Sequence, residues 1–184
     1  MPSPSFDERW HAGAHLAYEF DQLSAMYVVL ARLELGETIC EEDVRETLRL
    51  ATMESRLGHA RCVIEFLIGR FRGADQSRRR NGADIPPTWF ASNWPTTSGS
   101  HRLDRWLELI DVNIAHLSKK RISMNELGDH DAVEWTTTMF AELADEIEGF
   151  VNDVADVASR DVFARSLTRL RDAIEEYPDL ETGS

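Results

Sequence analysis

The sequence predicts an all-α protein, an antiparallel bundle of four main helices with a fifth, C-terminal helix packed outside it. Three observations carry this. Between Glu41 and Phe71 the apolar residues Leu50, Met53, Leu57, Ala60, Ile64, Leu67 and Phe71 recur at spacings of 3 and 4, which is one side of a long helix. Four further stretches show the same periodicity. Acidic residues cluster where these stretches begin, and Gly or Pro stands where several of them end, as helix dipoles and caps favour.

The first helix starts at Ser5, an N-cap candidate with Asp7 and Glu8 in the first turn. Leu16, Phe20, Leu23, Tyr27 and Leu30 mark its buried side, and Gly36 ends it. The central helix follows from Thr38 or Cys40, with Glu41, Glu42 and Asp43 at its positive end. Residues 72–101 hold Gly73, Gly82, Pro86, Pro87, Pro95 and Gly99 and read as a long loop with a short turn around Trp89. A loop of this length is functional or mobile. The third helix covers His101 to Ser118. Leu103, Leu107, Ile110, Ile114 and Leu117 form one face, Trp106 widens it, and Leu109, Val112 and His116 line another. A helix apolar on two sides is covered on both, inside the bundle or at a subunit contact. The fourth helix runs from Ala132 to Ala158, burying Val133, Thr137, Phe140, Ala144, Ile147, Val151 and Val154. The fifth, Asp161 to Glu176, buries Phe163, Leu167, Leu170 and Ile174. Pro178 closes it, and residues 178–184 are expected to fray.

With 184 residues, 42% hydrophobic and 29% charged, the chain fits one globular domain over 1–184. No apolar run approaches the roughly 20 residues of a membrane span. The opening MPSPSFDERW lacks a signal peptide's basic and apolar regions, and Cys40 and Cys62 lack metal-ligand spacing, so a cytoplasmic protein with free thiols is expected. A net charge of −13 argues against nucleic-acid or anionic-membrane binding by the whole surface. The charge is uneven. Arg56, Arg61, Arg70, Arg72, Arg78, Arg79 and Arg80 fall within 25 residues, and the last third is acidic.

Candidate chemistry lies in four places. His11, His15 and Glu19, spaced four apart, can present three metal ligands on one helical face, or two histidines on a partner-facing flank. Arg78-Arg79-Arg80, followed by Trp89, Phe90 and Trp94, suit phosphate contact and base stacking. Such a loop is also well explained as a solvated tip whose aromatics fold back over a core. Glu54, Arg61 and Glu65 fall within roughly 40° of one another on the central helix. They form a tuned acid or base, or a structural ion-pair row between helices. His116, with Lys119-Lys120-Arg121 behind it and Asn113 one turn before, can move protons or steady a phosphate. The cations also suit the helix dipole. No Walker loop, dinucleotide fingerprint, nucleophile elbow or HExxH helix is present, and no cofactor is expected.

The segments ESRLGHARCVIEFLIGR (54–70) and IDVNIAHLSKKR (110–121) resemble a group of small bacterial proteins of unknown function. Those carry an H-A-R-N-L-I-E-F-L helix, an aromatic-containing loop and a later A-H-L-T/S element, followed by a basic residue and a tryptophan. Here the matching residues are His59, Arg61, Glu65 and Phe66, then Ala115, His116, Leu117, Arg121 and Trp135, over about residues 45–150. The arrangement is also similar to the HEPN superfamily of four-helix domains in bacterial stress and defence systems. Its active members are metal-independent ribonucleases that place an arginine four to six residues before a histidine at a dimer interface. No arginine fills that window before His116. The nearest upstream is Arg105, so Arg61 or Arg121 would have to take its place. The resemblance implies RNA or nucleotide binding, with His116 as acid/base. The other expectation is a noncatalytic structural or regulatory interaction module. On either reading a homodimer is expected, through the faces near His116 or the first helix.

Overall fold

The computed structural model describes residues 4–36, 41–69, 85–94, 101–114 and 131–178. Five α-helices lie among them: α1 (Phe6–Glu34), α2 (Glu42–Leu67), α3 (His101–Ile114), α4 (Asp131–Asp153) and α5 (Val157–Glu176). A single 3-10 turn, Pro87–Trp89, precedes α3. The all-α expectation holds. No helix among the described residues is long and apolar enough to cross a membrane.

The first helix begins and ends where its sequence says. Ser5 and Glu8 form a reciprocal capping box, which satisfies two of the donors every helix N-terminus leaves open. Gly36 sits at φ 74°, a conformation only glycine adopts without strain. Leu16, Phe20, Leu23, Tyr27 and Leu30 are all buried.

Cross-helix contacts fix the topology. Glu19 meets His59 and Glu34 meets Arg49, so α1 and α2 run antiparallel. Arg171 reaches Asp145 and Glu148, while Phe150 packs near Phe163, so α4 and α5 are antiparallel as well. Arg56 lies over Phe140, and Phe66 packs on Phe150, which sets α2 parallel to α4. Phe20 meets Phe163 and Tyr27 meets Tyr177, which sets α1 parallel to α5. The C-terminal helix is therefore a full member of the bundle, covering α1 along its length. The outer place belongs to α3, which lies on α2 and α4 through the contacts of Arg61 with Asp111 and of Trp106 with Glu142.

The expected fourth helix breaks earlier than its apolar pattern suggests. It ends at Asp153, and α5 starts at Val157 rather than Asp161. The carboxylate of Asp156 accepts from the Ser159 backbone N–H at 2.8 Å, which makes it an N-cap. Hydrogen bonding from the Ser159 side chain, and then from its backbone N–H, holds the Asp156 carboxyl below the usual carboxylate range. The Ala155 N–H donates to the Phe90 carbonyl, so the preceding loop fills the gap between the helices.

That loop supplies the core at one end of the bundle. Phe90 and Ala91 are buried, with Phe90 5.5 Å from Phe163 and 6.5 Å from Phe150 between ring centroids, both edge-to-face. Phe66, Trp94 and Phe20 join the same cluster. The Trp94 indole donates to the Leu67 carbonyl at 2.8 Å, capping the end of α2. Phe90 and Trp94 thus fold back over the core.

Phe150 touches Phe66, Phe90, Trp94 and Phe163 at once. Phe150→Ala is expected to lower the unfolding free energy by about 3–5 kcal/mol, measured by urea titration. Val157→Ala, at an exposed position, is expected to change it by less than about 0.5 kcal/mol.

Candidate functional site

Two polar arrangements flank α2. On one edge, Arg61 Nε donates to Glu65 Oε1 at 3.0 Å, while its Nη1 forms an ion pair with Asp111 of α3. The Asp111 contact is close, but it is not aligned as a hydrogen bond. Arg61 is only 13% exposed, so this row pins α3 to the bundle. Glu54 lies two turns earlier on the same edge and is exposed. The structure thus engages Arg61 with Glu65 along α2 and with Asp111 across to α3.

On the opposite edge, toward α1, His59 Nδ1 lies 2.7 Å from Glu19 Oε2. A carboxylate only accepts, so this nitrogen carries a proton in the pair. His15 Nδ1 lies 3.7 Å from the other oxygen of Glu19, and Tyr18 presents its ring edge-on to His59, with centroids 5.9 Å apart. Glu19 and His59 are both largely buried, whereas His15 is exposed. Two imidazoles therefore share one carboxylate between α1 and α2, an arrangement able to hold and move a proton.

A cleft of about 430 Å³ continues from His15 toward the start of α1, lined by Asp7, Glu8, His11, Ala12, His15, Ile85 and Trp89. Of the expected basic-aromatic set, Trp89 forms this wall, while Phe90 and Trp94 pack into the core. His11 Nδ1 bonds the Asp7 carbonyl at 2.8 Å. Glu19 turns to His59, so the expected row of His11, His15 and Glu19 does not converge. Among the described residues no three His, Cys, Asp or Glu side chains group so as to hold a metal ion.

His116, Arg121, Arg78, Arg79 and Arg80 lie outside the described residues. Asn113 lies in the last turn of α3, with its side chain outside the description.

Two residues escaped the sequence reading as site members. His59 was visible only as part of a motif, although its place on the α1 side of α2 aims it at Glu19. Arg56 counted merely as one of many arginines, yet it is fully buried. At 100° per residue it falls within about 20° of the centre of the arc defined by the buried Thr52, Leu57, Ala60, Val63, Ile64, Phe66 and Leu67. Its guanidinium carbon lies 5.0 Å from the Phe140 centroid and 5.6 Å from that of Tyr27.

The fold and these sites define an all-α protein with a histidine–carboxylate pair at one helix seam and a buried arginine at its core. No family model, curated protein or solved structure matches the chain.

Burial pushes the Arg56 guanidinium down to about 10, with Tyr27 and Glu34 acting in the opposite sense. A cation whose folded value lies below its unfolded one costs stability at every pH under the folded value. A drop of this size corresponds to about 3 kcal/mol. Arg56→Met is therefore expected to be more stable than the parent at pH 7 by about 1–3 kcal/mol. The gap should narrow as pH rises from about 10 toward the ordinary arginine range, followed by denaturant titration across pH.

Proposed function

We propose that this chain is a noncatalytic interaction module that pairs with a second copy of itself through the outer face of α1. One observation carries the reading: Phe6, Trp10 and Tyr18 are 76%, 64% and 51% exposed on a single helix face. They stand at positions 6, 10 and 18, with the exposed Ala14 completing the i, i+4 series. Surface aromatics in such a row mark interaction sites, because water gains by their burial.

The face is self-complementary about a two-fold axis near residue 12. Laid antiparallel on a copy of itself, Trp10 of one chain meets Ala14 of the other, large against small, and Phe6 meets Tyr18. This is the isologous pattern of a symmetric dimer. Each chain carries a net charge of −13, so the bodies repel while the stripe attracts. Added salt should therefore tighten the dimer.

Sedimentation velocity at micromolar concentration is expected to show a dimer of twice the 21.0 kDa chain, strengthened by salt. Trp10→Glu should shift it to monomer with no loss of helical content. A wild-type monomer under these conditions would overturn the reading.

A second reading is RNA or nucleotide binding of the kind the HEPN resemblance implies, in a bacterial stress or defence system, with metal-independent cleavage at its fullest. The Glu19–His59 pair favours it, because an oriented imidazole suits acid–base work without a metal, and His15, near Glu19, lines a cleft with Trp89 on its wall. His116 and Arg121 remain the motif residues on this reading, with Arg61 already held by Glu65 and Asp111. Incubation with mixed RNA in chelator separates the two readings. Cleavage lost in His59→Ala or His116→Ala supports the nuclease; no cleavage and no retained RNA supports the module.

A further inference from the structure

Neither reading uses Arg56, the most costly group in the core. Its side chain is fully enclosed, and among the described residues Nε, Nη1 and Nη2 meet no hydrogen-bond acceptor. The rings of Tyr27 and Phe140 lie under the guanidinium. Aromatic faces stabilise its charge, but its N–H groups lie in the guanidinium plane and gain nothing from them.

The acidic group that acts on it, Glu34, is engaged by Arg49 at 3.1 Å. The Tyr27 hydroxyl donates to the Tyr177 carbonyl at 3.1 Å. A buried cation with open donors costs more than an apolar side chain of the same volume. A neutral acceptor would answer the N–H groups and leave the charge, whereas an anion answers both.

We propose that Arg56 anchors an internal oxyanion site, which takes a small ligand bearing a phosphate or carboxylate group. The planar fork offers two parallel donors to two oxygens of one such group, and the two rings hold the fork in place. Thr52, buried one turn earlier on the same side of α2, adds a hydroxyl to that face.

The test uses the full chain exchanged into chloride, then equilibrated overnight with inorganic phosphate or acetate at constant ionic strength, because an enclosed site exchanges through local opening. Wild type is expected to show a rise of about 5 °C in thermal midpoint at saturation, with one-to-one stoichiometry by calorimetry. Arg56→Met should show no rise. Arg56→Lys, which keeps the charge and loses the fork, should bind roughly tenfold more weakly; this second variant serves if the first does not fold. A response to one anion alone identifies the ligand group. No rise in wild type with either anion, an equal rise in Arg56→Met, or equal affinity in Arg56→Lys would overturn the proposal.

Discussion

The stacking of Phe90 and Phe150 with their aromatic neighbours is the interaction on which the bundle depends. Rings from α1, α2, α4, α5 and the segment before α3 meet in one cluster, mostly edge-to-face. Edge-to-face packing sets angles as well as distances, so the cluster fixes how four helices converge at that end. It also explains the break between α4 and α5. Phe90 enters there, and its carbonyl takes the Ala155 N–H that a continuous helix would have used internally.

The two ends of the bundle are built on opposite principles. One is closed by rings and by a single indole hydrogen bond to the end of α2. Elsewhere in the core an arginine lies over two rings, and charged groups on both edges of α2 tie it to α1 and α3. The paired groups contribute modestly where exposed, as between Arg171 and its two carboxylates. They matter more where water is excluded, as at Glu19–His59. Arg49, Arg61, Arg169 and Arg171 each reach an acidic group on another helix.

Much of this was legible in the sequence, and the failures have a common cause. The first helix was readable throughout because its cap, buried side and terminal glycine all agree. On α2 the periodicity was right but its centre was off. Leu50 drew the inferred seam toward Arg61, yet it is 46% exposed, while Val63 and Arg56 take the centre. An arginine at such a position reads as a surface residue by composition, and only the rings of Tyr27 and Phe140, from two other helices, make its burial tolerable. The His11, His15 and Glu19 row failed for a similar reason. Spacing on one helix cannot show that Glu19 has a better partner on the next. The exposed row of Phe6, Trp10 and Tyr18 was hidden in the sequence, because exposed aromatics look like core residues until the fold shows which side they occupy.

The pairing of the first helix with the last bears on how the chain is made. Tyr27 hydrogen-bonds a carbonyl 150 residues further on, and Phe20 packs on Phe163. At typical translation speeds the buried side of α1 waits on the order of ten to thirty seconds for its cover. During that interval Leu16, Phe20, Leu23 and Tyr27 stand bare beside Trp10 and Phe6. Pairing with α2, which is made earlier, can cover only part of that side until the C-terminal helix emerges.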